Sequence, residues 1–176
     1  MHVYLIGMPG AGKTTMGKAL AAQLNRKFID LDVAIEEYSG LSISRLFEEK
    51  GEAYFRELES ETLKTVSFSA EKLVVATGGG TPCFQDNMAF MQRQGLIVYL
   101  KAAPETLAER LLLTDLASRP LIKNKSKPVV LSYLRETLAG RGTFYEQAGI
   151  IFESRWFRDA AVKDLAELIE RFEQNA

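Results

Sequence analysis

The chain of 176 residues contains one cysteine, Cys83, and one histidine, His2. A lone cysteine excludes an internal disulfide and a cysteine-rich metal site. A lone histidine excludes histidine-based triads and clustered imidazole ligands, and at the extreme terminus His2 is expected to be incidental. No apolar run approaches the ~20 residues that span a bilayer. The amino terminus opens directly on a strand pattern, without the charged, apolar and small-residue sections of a signal peptide, so a cytoplasmic protein with no membrane association is expected. Charge of one sign is also lacking. Lys and Arg number 22 against 23 Asp and Glu, a formal net charge of -1, and no basic field points to nucleic acid. Neither an internal repeat nor a low-complexity linker interrupts the chain, whose length suits a single domain over residues 1–176.

What is present begins at once. The apolar run Val3-Tyr4-Leu5-Ile6 leads into Gly7-Met8-Pro9-Gly10-Ala11-Gly12-Lys13-Thr14, and Met16, Leu20 and Leu24 then recur at helical spacing. Strand, glycine-rich loop and helix in that order are the context of a phosphate-binding P-loop. Successive backbone N–H groups converge on one anion there, and the helix adds the positive end of its dipole. Lys13 can reach terminal phosphate oxygens, and the Thr14 hydroxyl can ligate a magnesium ion that keeps most of its water.

Lys27 to Asp32 reads as a second strand, with Asp30 and Asp32 projecting on one side of its end. The plain reading is a solvated strand terminus. Beside a P-loop, the same carboxylates stand where magnesium and a nucleophile would be served. Residues 33–68 carry helical patterns broken at Ser39-Gly40 and at Gly51, with Ser42 as a cap, and suggest an inserted helical flap. Within it, Arg56 can pair with Glu52 or Glu59 on its own helix, or grip a planar carboxylate in a bidentate fork. Spacing leaves both open.

Leu73 to Thr77 forms a third strand, and Gly78-Gly79-Gly80 follows it, as a flexible turn or as a ligand-approach loop. Cys83 beside this loop could be reactive, although a small buried hydrophobe is the favoured reading. The next helix is expected to contain Phe84, Met88 and Met91. Leu96 to Leu100 supplies a fourth strand, and Pro104 opens a helix with Leu107, Leu111 and Leu112 inward. The basic, proline-bounded stretch from Ser118 to Pro128 is a solvated loop or a lid. Helical spacing resumes over Val129 to Leu138 and again from Arg141, Gly149 to Glu153 is the last strand, and a terminal helix packs Leu165, Leu168, Ile169 and Phe172. Trp156 and the other aromatic residues are expected in the core. Five strands alternating with helices indicate a three-layer α/β domain with a largely parallel sheet.

Taken in order, the loop Gly7 to Thr14, Asp30-Leu31-Asp32, Gly51-Glu52 with Phe55-Arg56 and Glu59, Gly78 to Gly80, Arg119-Pro120-Leu121, and Arg141 four residues before Tyr145 resemble the shikimate kinases over almost the whole chain. The resemblance implies the fold of nucleoside monophosphate kinases, with sheet order 2-3-1-4-5, a flap over about 33–68 and a lid over about 112–128. It implies phosphorylation of the 3-hydroxyl of shikimate by ATP with Mg2+. No dimerisation element stands out in the sequence, and a monomer is the default expectation. ATP would lie on Gly10, Ala11, Gly12, Lys13, Thr14 and Thr15, with Arg110 and Arg119. Shikimate would meet Asp32, Phe55, Arg56, Gly78, Gly79, Gly80 and Arg141. Lys13, Asp32 and Arg119 would be catalytic, and Thr14 and Asp30 would serve the metal. Arg110, nine positions before Arg119, is the one candidate to stack on adenine, or a surface residue of its helix. Another small-molecule kinase, such as a gluconate kinase, and a noncatalytic nucleotide-binding module are the alternatives.

Overall fold

A computed structural model describes residues 1–113, 125–153 and 159–175. Its frame is a five-stranded parallel sheet in the order β2-β3-β1-β4-β5, built from β1 (His2–Ile6), β2 (Lys27–Asp30), β3 (Leu73–Ala76), β4 (Gly95–Lys101) and β5 (Ile150–Glu153). Val3, Tyr4, Leu5 and Ile6 are all fully buried. Because successive side chains of a strand point to opposite faces, their common burial means that both faces of the central strand are covered. Edge strand β5 instead alternates between half-buried and exposed residues.

The register sets Asp30 beside Ala76, and Ala76 beside Leu5. The carboxyl ends of β1, β2 and β3 therefore form one edge, where ligands of open α/β sheets collect. Helices α1 (Lys13–Gln23), α2 (Leu31–Ser39), α3 (Ile43–Ser67), α4 (Asn87–Gln94), α5 (Pro104–Leu113), α6 (Lys127–Tyr145) and α7 (Asp159–Asn175) cover the sheet. Among them α1 packs on α7, α2 on α3, and α5 on α6.

Several expectations need correction. The second strand ends at Asp30, not Asp32, because the Asp30 carboxylate accepts the Asp32 backbone N–H at 3.1 Å and so caps α2. Asp32 stands in the first turn of that helix. Phe84 lies outside α4, since Gln85 and Asp86 adopt left-handed backbone (φ 51° and 55°) and separate it from the helix. Gly140 and Gly142 do not break α6, which runs through to Tyr145 on the buried stripe Val130, Leu134 and Tyr145. Its first turn already contains Lys127 and Pro128, which the sequence pattern places in the loop. On α7, Val162, Leu165, Ala166 and Ile169 are buried while Leu168 and Phe172 are exposed. Tyr38 and Phe68 are exposed as well, and Trp156 is outside the described residues.

His2 has a structural role. It is buried, its Nδ1 accepts the Leu73 N–H at 3.3 Å, and its Nε2 therefore donates to the Ser67 carbonyl at 3.0 Å. The ring ties β1 to β3 and to the end of α3. The break at Gly51 is as expected: its φ of 82° is a left-handed conformation that bends α3. Ser42 caps the helix through the Arg45 N–H.

Candidate active site

The site begins where β1 ends. Gly12, with φ 89°, is the left-handed N-cap of α1, and Ala11 N–H bonds back to the Met8 carbonyl at 3.1 Å, closing the loop. Lys13, Thr14 and Thr15 form the first turn of α1, and the backbone N–H groups of a helix start make an anion cradle. The Lys13 ammonium donates to the carbonyls of Gly7 at 2.9 Å and Met8 at 3.1 Å, which keep it over the loop. Arg110, on α5, points a guanidinium nitrogen at the Gly10 and Ala11 carbonyls, each at 3.4 Å. It thus belongs to the loop's surroundings and is more than a solvated helix residue. Burial lowers its pKa from the usual arginine value.

Next to the cradle, the Thr14 hydroxyl donates to Asp30 Oδ2 at 2.7 Å. This pair tests the magnesium expectation. Mg2+ takes hard oxygen donors, retains several waters, and is held by one or two protein oxygens together with substrate phosphates. A hydroxyl and a carboxylate side by side at the phosphate loop fit that donor set. Among the described residues no group of three or more His, Cys, Asp or Glu converges, so any cation here depends on phosphate and water for its remaining ligands.

Asp32 faces the same space. Its surface is exposed, yet the protein around it replaces enough of the surrounding water that desolvation is the main cause of a pKa raised to about 6. The Asp30 charge raises it further, Lys13 opposes the shift, and Glu59 and Glu36 add smaller upward contributions.

The glycine triplet lies directly beside the phosphate loop, where a Cβ on Gly79 would stand 3.1 Å from Pro9 Cδ. A methyl group built on Gly78 would lie 3.1 Å from Asp32 Oδ1, one on Gly79 3.2 Å from Arg141 Nη1, and one on Gly80 2.8 Å from both Nη atoms of Arg56. Asp32, Arg141 and Arg56 are thus brought around three consecutive residues that have no side chains. The pairing on its own helix is what the structure shows for Arg56: Nη1 donates to Glu59 Oε2 at 2.7 Å and Nε to Glu52 Oε1 at 3.2 Å, while the guanidinium also lies against the loop. Its Cζ is 4.2 Å from the Phe84 ring centroid, 5.1 Å from that of Phe55 and 5.9 Å from that of Phe47. Phe55 is buried and reaches the site through Arg56, whose underside it covers. Arg119 lies outside the described residues.

Sequence reasoning assigned no site role to Glu59, Thr81, Phe84 or Tyr145. Glu59 is buried and accepts from the Thr81 hydroxyl at 2.6 Å as well as from Arg56, so its charge is paired and hydrogen-bonded. Its place three residues after Arg56 was a usable signal, whereas nothing local predicts that Phe84 stacks on an arginine 28 positions earlier. Cys83 is half-buried and flanked by Arg56 and Arg141, and burial raises its thiol pKa.

Comparison with known proteins meets this geometry. The shikimate kinase family model matches residues 9–171. A shikimate kinase of Bacteroides thetaiotaomicron is 43% identical over 175 residues, covering 97% of this chain and 99% of the relative. The crystal structure of shikimate kinase from that organism superposes with a TM-score of 0.91 over 97% of this chain and 98% of its own. Shikimate kinase from Acinetobacter baumannii in complex with shikimate, 34% identical, superposes with a TM-score of 0.85 over 99% and 93% of the two chains. A gluconokinase from Sinorhizobium meliloti, covering 99% and 97%, has a TM-score of 0.57 at 18% identity and shares the fold alone. The P-loop specifies a superfamily, and it is the near-complete match in sequence and fold that shows this chain belongs to the shikimate kinase family.

Proposed function

We propose that the chain transfers the γ-phosphoryl group of ATP to the 3-hydroxyl of shikimate, in the pathway to chorismate and the aromatic amino acids. The observation that carries this reading is the convergence of Arg56, Arg141 and Asp32 on the side-chain-free segment Gly78 to Gly80. Two guanidinium groups suit a carboxylate, the glycines leave room for a ring, and Asp32 supplies a proton acceptor beside the same glycines. Family membership supports the same assignment.

In this reading Gly10 to Thr15, Lys13 and Arg110 hold the nucleotide, with Arg119 joining from the lid at about 112–128. Asp32 accepts a hydrogen bond from the 3-hydroxyl and takes its proton as the new O–P bond forms and the bond to the departing ADP oxygen breaks. Lys13 and the N–H groups at the start of α1 offset negative charge on the transferring group. Mg2+, held by Thr14 and by Asp30 through water, would supply charge neutralisation on the phosphates. Helix α2 and α3, over about 33–68, form the substrate flap. The whole chain acts as one domain, a monomer in the cytoplasm. No helix among the described residues is long and apolar enough to cross a membrane.

The test is a coupled assay of ADP formation with ATP and Mg2+ against shikimate, gluconate or no acceptor. Shikimate-dependent ADP release, with phosphate recovered on the acceptor, is expected. Release with gluconate in its place would transfer the assignment to the gluconate kinases, and release without any acceptor would make the chain an ATPase.

A further inference from the structure

We infer that Tyr145 is a positioning residue for shikimate recognition: its hydroxyl fixes the Arg141 guanidinium against the Gly79 backbone. The inference rests on the carboxylate role proposed for Arg141. Tyr145 is fully buried at the end of α6, one helical turn beyond Arg141. Its O–H donates to the Gly79 carbonyl at 2.6 Å, a short bond for a neutral pair. The positive charge of Arg141 acts on the same hydroxyl and opposes the effect of burial on it. Arg141 Nη1 in turn lies within 3.2 Å of where a Cβ of Gly79 would stand.

The hydroxyl therefore spends its donor on Gly79, the same residue against which the Arg141 guanidinium lies, so tyrosine and arginine are tied through one point of the glycine loop. The ring is held as well, 5.1 Å from Tyr99 on β4 and with its oxygen 3.8 Å from Met8 Sδ of the phosphate loop. Burial raises the phenol pKa from its ordinary value, so the group stays protonated and able to donate at working pH. A loose arginine would have to be ordered on each binding event, at a cost to affinity that a pre-set one avoids. Since this contact is made before and throughout phosphoryl transfer, its loss affects ground state and transition state alike and appears in KM.

The experiment compares wild type, Tyr145→Phe, Arg141→Ala and the double variant in the full-length enzyme, by steady-state kinetics and thermal melting. Y145F retains the ring and is expected to raise the KM for shikimate about tenfold, with kcat within about threefold and the KM for ATP unchanged, the size of one lost hydrogen bond to a charged group. In the R141A background the same change should have little further effect. A Y145F enzyme with wild-type shikimate KM, or one whose KM rises equally in both backgrounds, overturns the relay. Purely structural damage would lower the melting temperature and the active fraction without moving KM. An unchanged shikimate KM in R141A alone removes the carboxylate reading, and the inference with it. Should Y145F not fold, Arg141→Lys replaces it. Its ammonium lacks the planar fork that serves hydroxyl and ligand at once, so KM should rise at least tenfold, and a wild-type value is the overturning result.

Discussion

Arg56 and Gly80 are matched so closely that a single methyl group at position 80 would lie 2.8 Å from both terminal guanidinium nitrogens. A free arginine could swing aside. This one is held by Glu59 and Glu52 and stacked on Phe84, so moving it breaks charge-assisted bonds. Gly80→Ala is therefore expected to raise the KM for shikimate by about tenfold or more while leaving the KM for ATP within about twofold. Kinetics at saturating ATP measure this directly, and a wild-type shikimate KM would show that Arg56 does not address the acceptor.

Asp32 sets a pH limit. With its pKa at about 6, the carboxylate protonates as pH falls through that value. The free-enzyme kcat/KM should fall about tenfold per unit below it if Asp32 must accept a hydrogen bond or proton. The same shift bears on stability. The folded pKa lies above the ordinary 3.8, so the native state binds the extra proton and ionisation opposes folding; stability falls as pH rises from about 4 to 6, and the penalty is complete above that window. Asp32→Asn should accordingly melt higher than wild type at pH 7.5, with the gap closing towards pH 4, while activity is lost at every pH. Melting curves and rate profiles across that range check both halves.

Lys13→Ala is expected to lower kcat by at least about 10²–10³-fold, leaving no readily detectable turnover, because a cation near the transferring phosphoryl group acts on charge that develops in the transition state. Its ammonium rests on the carbonyls of Gly7 and Met8 and faces the charge of Asp32, and a melting curve of the variant separates loss of the cation from loss of the fold. Near-normal kcat in this variant would reject the assigned chemistry.

Arg110→Ala should raise the KM for ATP about threefold to tenfold and spare shikimate, since its guanidinium reaches the Gly10 and Ala11 carbonyls rather than the glycine triplet. Nucleotide titration by calorimetry separates this from a surface role, for which affinity would be unchanged.

At the opposite end of the molecule, Glu173 near the end of α7 bonds Arg26 Nη2 at 2.6 Å and lies 3.8 Å from the amino terminus. Arg26 is 6% exposed, so removing its carboxylate leaves a nearly buried cation with the Met1 carbonyl as a remaining partner. Glu173→Ala is expected to cost about 1–2 kcal/mol, a drop of roughly 2–8 °C in Tm, without altering kcat or either KM. Differential scanning calorimetry beside the kinetic assay tests that separation.

The order of elements, the parallel sheet and the phosphate loop were legible in the chain because their signals are local: apolar runs, turn residues and the glycine spacing of Gly7 to Thr14. So were Gly51 as a break and Ser42 as a cap, each acting on backbone within a turn of itself. Local pattern misplaced Phe84, because the left-handed pair Gln85-Asp86 is not dictated by residue type, and Leu168 and Phe172, because the direction a helix faces depends on what it packs against. It also left Arg56 divided between its own helix and a ligand. Tertiary structure decided the rest, bringing a helix start, a strand end and two helices to one edge of the sheet, where Arg56 meets Glu59, Phe84 and Gly80 together and Arg141 meets Tyr145 over Gly79. Sequence spacing carries short-range geometry. Contacts between residues tens of positions apart are set by packing of the whole core, and the acceptor site is made of those.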